Sequence, residues 1–260
     1  MSVIQGLEWT FHTVAEEYNR WRPGYVPELY QDLFAYKPLN KSSSALEIGI
    51  GTGQATAPVL ETGCALTAVE LGDSLAEIAR RKFSRYPRFT VIHTAFQAYA
   101  RPDESFDLIY AAGSFHWIPE EIGYPKVYRM LKRGGAFARF AVHPYYRKGN
   151  EPMYTDIQKV YAAYMPRSSP SDEYTEEDAR KRAAIGSKYG FTDVSYRLYR
   201  RTREYTAQEY TALIATYSDH IALEESKREG LLKGIREAIE KHGGIIRLHD
   251  TIDLELMRKA

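Results

Sequence analysis

Glu47, Gly49, Gly51 and Gly53 occupy alternate positions in the run ALEIGIGTGQAT, residues 45–56. Glycine lacks a Cβ, so the chain can turn sharply there and its backbone can approach a ligand closely. The apolar residues before the glycines read as a short strand, and QATAPVLETG after them reads as the start of a helix. A strand turning through glycines into a helix presents free backbone N–H groups at the crevice beyond the strand's carboxyl end. The spacing differs from the dinucleotide fingerprint G-x-G-x-x-G, because Gln54 stands where the third glycine belongs. Glu47 ends the strand, and a buried carboxylate is costly without a partner, which a cationic ligand group would supply. Glu70 follows Glu47 by 23 residues and ends a second apolar run, TAVE. An acid at an interval of about 20 residues reaches a ribose in nucleotide-binding α/β folds. Further along, His116 and Trp117 sit in the loop AAGSFHWIP (111–119) as candidates for a substrate pocket. Near the front, Tyr18 and Arg22 are four apart and share a face if the segment is helical.

The elements that must hold these residues alternate along the chain. Apolar β-type runs recur at 45–49, 66–70, 89–93, 106–112, 135–142, 194–199 and 245–256. Helical stretches separate the first five, notably 73–86 and 120–131. That alternation predicts a doubly wound α/β fold, with a seven-stranded, mainly parallel sheet and right-handed crossovers. The last run, IIRLHDTIDLELM, alternates apolar and polar residues, as an outer antiparallel strand with one exposed face would. Residues 11–37 read as helical, interrupted at Pro23 and Pro27. Two insertions exceed ordinary crossovers. One carries a helix at 153–165 and a polar loop at 168–178; the other carries helices over AQEYTALIATYSDHI and SKREGLLKGIREAIEKH. Thr206 with Glu209 predicts a capping box for the first of this pair, and Gly243 and Gly244 end the second. The expected organisation is an N-terminal lid segment (1–40), a Rossmann-like core (41–142, 191–205 and 243–260) and a helical cap (143–190 and 206–242).

Composition narrows the class. A chain of 260 residues with 35 Lys+Arg against 34 Asp+Glu offers no electrostatic footprint for nucleic acid or a membrane surface. The basic cluster RLYRRTREY (197–205) is explained by a strand with outward arginines. No run approaches the roughly 18 apolar residues of a membrane span. The single cysteine, Cys64, excludes an internal disulfide and is expected to be a small buried residue. The seven histidines lack metal-ligand spacing, and no metal is expected. A cytoplasmic monomer or homodimer is expected. The 21 tyrosines gather in the N-terminal segment and after residue 144, suiting a lid or a substrate pocket.

The pattern E-x-G-x-G-x-G resembles the first motif of the class I S-adenosylmethionine-dependent methyltransferases. TAVELGDSLAEIAR (67–80), SFDLIYAAGSFHWIP (105–119) and VYRMLKRGGAFARF (127–140) resemble later motifs in the expected order. AEEYNRWRPGYVPELYQDL (15–33) resembles the opening of a small-molecule branch loosely similar to trans-aconitate methyltransferase. The resemblance implies that Gly49, Gly51 and Gly53 pass close to the methionine part of the cofactor and that Glu47 helps hold its amino group. It further implies that Glu70 accepts from the ribose hydroxyls and Leu71 lies along the adenine. Ala95 stands where many members carry an Asp, so backbone at Ala95 and Phe96 is expected to meet the adenine, with Gln97 alongside. Ala111 and Ala112 would lie against the methionine end, and Tyr18 and Arg22 near its carboxylate. AAGS is not the D/N-P-P-aromatic motif of base-amino methylating enzymes, which argues against nucleobase methylation.

The resulting expectation is methyl transfer from S-adenosylmethionine to a small-molecule carboxylate, hydroxyl or amine, with His116 as base if one is needed. Two other readings stand beside it. A nicotinamide-dependent oxidoreductase on a related fold is disfavoured by Gln54 and the lack of a hydride-transfer dyad. A non-catalytic S-adenosylmethionine-binding protein is kept open by Ala95.

Overall fold

A computed structural model describes residues 7–166 and 172–260. After a 3-10 segment at Leu7–Val14, the chain forms α1 (Ala15–Trp21), α2 (Pro27–Tyr36), β1 (Ser44–Ile48), α3 (Ala57–Glu61), β2 (Ala65–Glu70) and α4 (Asp73–Lys82). It continues through β3 (Phe89–His93), β4 (Phe106–Ala112), α5 (Glu120–Met130) and β5 (Leu131–Tyr145). The remainder comprises α6 (Glu151–Tyr164), α7 (Glu176–Ala183), β6 (Thr192–Thr206), α8 (Ala207–Ile214), α9 (Ser218–Ile221), α10 (Glu225–Lys241) and β7 (Ile245–Arg258).

The seven strands form one sheet in the order β3-β2-β1-β4-β5-β7-β6. Neighbours among β1 to β5 pair in parallel, and β7 runs antiparallel to both β5 and β6. Parallel strands covered on both faces read as near-continuous apolar runs. β1 fits, with Ala45, Leu46 and Ile48 all buried. One face packs Leu29 and Leu33 of α2 and Leu60 of α3 against Tyr110 and Phe140. The other packs Tyr124 and Val127 of α5 against Phe115, Phe137 and Met257. A separate core joins α6, α8 and α10 to the start of β7 through Ile157, Leu213, Ile235, Ile246 and Leu248. Cys64 is buried, as expected.

Two expectations are corrected together. β7 is antiparallel, but it lies one strand in from the edge, because β6 covers its outer side. Only Ile245–His249 alternate in burial; beyond them both faces are closed. The polar residues that suggested an exposed face are buried ion partners. On one face Asp250 accepts from Arg201 Nη2 at 2.8 Å and Arg203 Nε at 2.6 Å. On the other, Arg139 donates to Glu255 at 2.9 Å, and Arg182 lies 2.9 Å from Glu255 and 3.2 Å from Asp253. The arginines at 201 and 203 thus turn inward, since a buried carboxylate persists only when paired.

The insertions also differ in detail. Thr206 and Glu209 make the capping box, but the helix stops at Ile214 and α9 restarts at Ser218, so the predicted single helix is two. A second box, Thr175 with Asp178, starts α7 within the stretch read as loop. Of that loop, residues 168–171 lie outside the described residues, as do residues 1–6 of the lid segment. No helix among the described residues is long and apolar enough to cross a membrane.

Candidate active site

The first wall of the site is made by backbone. Gly49, Gly51 and Gly53 have φ of +66°, +58° and +84°, a region that L side chains rarely adopt. Space forbids a side chain at two of them: a Cβ on Gly49 would lie 2.6 Å from Ser114 Cβ, and one on Gly53 2.2 Å from Phe83 Cε2. Parallel pairing of Ile48 with Val69 brings the end of β2 beside this loop. Glu70 then accepts from Gly51 N at 2.8 Å and from Gly72 N at 2.9 Å, one bond on each oxygen. Burial raises its pKa, against the pull of those two N–H groups. A carboxylate oxygen has two lone pairs, so each keeps one for a ligand hydroxyl. That capacity fits a vicinal diol such as a ribose.

Beyond the loop lies a cavity of about 1260 Å³. Of the expected residues, Tyr18, Arg22, Gly49, Gly51, Glu70, Leu71, Ala95, Phe96, Ala112, His116 and Trp117 line it, with Gln97. Glu47, Gly53 and Ala111 do not. Ala111 and Ala112 point to opposite sides of β4, as successive strand residues must. Ala111 goes into the α5 core. Gly53 serves the turn itself. Glu47 lies behind the loop, 1% exposed, where its Oε2 accepts from Thr56 Oγ1 at 2.8 Å and from the Tyr110 hydroxyl at 2.7 Å. Both of these partners are protein hydroxyls. Burial pushes its pKa up to about 7.

The N-terminal segment forms one side of the opening. α1 ends at Trp21 just before Pro23, with Arg22 N bonded to Tyr18 O. The four-residue spacing puts the Arg22 guanidinium 4.9 Å from the Tyr18 ring centre, and Tyr217 lies 4.5 Å away on the cap side. Arg22 also donates to Thr216 Oγ1 at 2.9 Å and to Thr216 O at 2.8 Å. His116 opens onto the cavity beside Trp117, at 4.8 Å between ring centres. Desolvation, then the positive charges of Arg182 and Arg139 and the His143 ring, hold its pKa down to about 4. At neutral pH it is uncharged and has little affinity for a proton.

The opposite wall was not located by motif. It consists of Tyr146 just after β5, Gln158, Tyr161 and Tyr164 of α6, Tyr210 of α8, and the segment Tyr217–His220. The only sequence signal for it was the density of tyrosine after residue 144. Among the described residues no group of three or more His, Cys, Asp or Glu is arranged to hold a metal ion.

Comparison with known proteins agrees with this architecture. Residues 45–135, the glycine loop through the turn before the middle of β5, match the methyltransferase domain. An uncharacterized methyltransferase of Schizosaccharomyces pombe is 24% identical over 89% of this chain and 87% of its own length. Trans-aconitate 2-methyltransferase of Azoarcus sp. is 30% identical over 42% of each chain. Among solved structures, phosphoethanolamine N-methyltransferase 2 of Haemonchus contortus superposes with a TM-score of 0.54 at 17% identity. That alignment covers 95% of this chain and 57% of the other, and the Haemonchus protein holds S-adenosylhomocysteine. The loop that fits a ribose-bearing cofactor, the strand order around it and these relatives agree: residues 45–135 are a methyltransferase domain, on the Rossmann-like fold of the class I methyltransferases, and S-adenosylmethionine is its cofactor.

Proposed function

We propose that this methyltransferase acts on a small-molecule acceptor held between the glycine-loop wall and the tyrosine-rich cap wall. The observation that carries the reading is the cavity of about 1260 Å³ that both walls share. Sites for one small ligand measure roughly 300–1,000 Å³, so this space has room for a cofactor and an acceptor together. Glu70 would hold the ribose, Leu71 and the Ala95–Phe96 backbone the adenine, and Gly49, Gly51 and Ala112 the methionine end. Tyr18 and Arg22 close the opening above it. Glu47 acts from behind, holding Thr56 and the helix that follows the loop.

S-adenosylmethionine supplies a methyl group already activated on a sulfonium. The chain's task is to align the acceptor and exclude water. The segments 1–40, 143–190 and 206–242 serve as the cap that performs this exclusion. The test is a mass-shift screen of metabolite pools with the protein and S-adenosylmethionine, seeking products that gain one methylene. Calorimetry runs beside it. Binding of S-adenosylhomocysteine without NAD is the expected pattern, and a screen yielding modified macromolecules but no small product would end the small-molecule reading.

A further inference from the structure

On the cap wall, Tyr161, His220 and Asp219 form a hydrogen-bonded row. Asp219 Oδ1 lies 2.7 Å from His220 Nδ1, and His220 Nε2 lies 3.0 Å from the Tyr161 hydroxyl. His220 is 3% exposed, and the rings of Tyr161 and Tyr217 both meet it edge-on at 5.7 Å. An ionised carboxylate only accepts, so Nδ1 carries the imidazole proton and Nε2 is the acceptor. The Tyr161 hydroxyl therefore donates to Nε2. Its oxygen is left with lone pairs, and Tyr161 lines the cavity shared with Gly51 and Glu70.

Tyr146 has the opposite polarity. Its oxygen accepts from Gln158 Nε2 at 2.8 Å, which leaves its own proton to donate. The cap thus offers one acceptor, Tyr161, and one donor, Tyr146. Charge on the wall is also informative: Arg22 is the only lysine or arginine lining the cavity among the described residues, and it is engaged with Thr216. Among the described residues, a carboxylate acceptor would find no cation on the cap.

Resting on the methyl-transfer reading above, we infer that Tyr161 takes the proton of an acceptor methylated at a hydroxyl or neutral amine, with His220 and Asp219 receiving it behind. The acceptor's proton passes to Tyr161 Oη as Tyr161's own proton passes to His220 Nε2. The new oxygen–carbon or nitrogen–carbon bond uses the acceptor's lone pair, while the sulfonium donor's sulfur keeps the electrons of the bond it loses. The imidazolium left at His220 is balanced by Asp219. Burial raises the Tyr161 phenol well above its ordinary pKa, so it releases a proton only while receiving one. His116, held near 4, is too weak a base for this task.

Three measurements on the full chain test the inference. Calorimetry with S-adenosylhomocysteine comes first: wild type, Tyr161→Phe and Asp219→Asn should bind alike, and a wild type that fails to bind defeats the methyl-transfer reading instead. Histidine ¹⁵N NMR should then show His220 protonated at Nδ1, with the Nε2 signal displaced in Tyr161→Phe. A proton on Nε2, or no displacement, overturns the row. Last, alcohols, phenols and primary amines are compared with carboxylates of the same skeletons, using labelled S-adenosylmethionine. Turnover should be confined to the protic probes, and Tyr161→Phe should lower kcat at least about 10²-fold with KM little changed. Turnover of the carboxylates, an unchanged kcat in Tyr161→Phe, or no reaction with any protic probe by a protein that binds S-adenosylhomocysteine would each overturn it.

Discussion

The two walls of the cavity are built on different principles. The glycine-loop wall is backbone, drawn tight by positive φ at Gly49, Gly51 and Gly53 and pinned by Glu70. The cap wall is side chain: tyrosines from the loop after β5, from α6 and α8 and from the turn before α9, with His220 between two of them. A backbone wall restricts residue type at fixed spacing, because another residue would collide or strain. A side-chain wall restricts only what reaches the cavity, and many sequences satisfy that. The first is suited to one constant ligand and the second to an acceptor that differs from enzyme to enzyme.

The largest effect that could break this contrast belongs to Glu70. Glu70→Ala should remove two charge-assisted bonds to a ribose, each worth about 1.5–3 kcal/mol. Affinity for S-adenosylhomocysteine should fall at least about tenfold. An unchanged dissociation constant with normal thermal unfolding would mean the backbone wall does not hold the cofactor through this acid. Next comes Gly49→Ala, whose methyl group would press on Ser114. Overpacking of this kind costs roughly 1–3 kcal/mol, and it should appear as both a lower Tm and weaker cofactor binding. A variant that is merely less stable, with binding intact, would show the loop to be a turn and nothing more.

Glu47 sharpens the comparison through pH. Its folded-state pKa is about 7 against an ordinary 4.5, so the native chain binds this proton more tightly than the unfolded chain. Stability must then fall as pH rises from about 4.5 to about 7 and level off above. Glu47→Gln removes that loss, so its Tm relative to wild type should climb between pH 5 and pH 8. Glu255, also raised to about 7, leaves a similar residual slope in both proteins. If the Gln variant instead keeps the wild-type profile and loses cofactor affinity, Glu47 belongs to the ligand and not to the scaffold. The smallest effect is expected at the opening. Hydrogen exchange with S-adenosylhomocysteine should show added protection in residues 7–22 and in the loops after Glu47, Glu70 and Tyr110. Protection confined to those loops would take Tyr18 and Arg22 off the cofactor.

What could be read from the sequence follows the same division. The parallel strands, the glycine loop and Glu70 were legible because each is fixed by local geometry. The Thr206–Glu209 cap was legible for that reason too. Asp250, Asp253 and Glu255 misled because a buried ion pair and a solvated carboxylate look identical in one dimension. Only the partners distinguish them, and Arg201 and Arg182 lie far away in sequence. The row ending at Tyr161 was invisible for a related reason. It depends on a break after α8 that presents His220 to a helix about sixty residues earlier.

The position of β7 has a consequence for how the molecule comes apart. β6 pairs with β7 and with no other strand, so the sheet beyond β5 exists only when β7 is in place. The same strand supplies Ile246 and Leu248 to the core of α6, α8 and α10. Helices that look like an appended module therefore share their foundation with the sheet. They cannot melt as an independent unit without exposing β7, and β7 cannot leave without stranding the three inward arginine-bound carboxylates. On the proposed reading, opening of the site falls to the N-terminal segment and the loops rather than to helices anchored on β7. An acceptor would then meet a surface already built before it arrives.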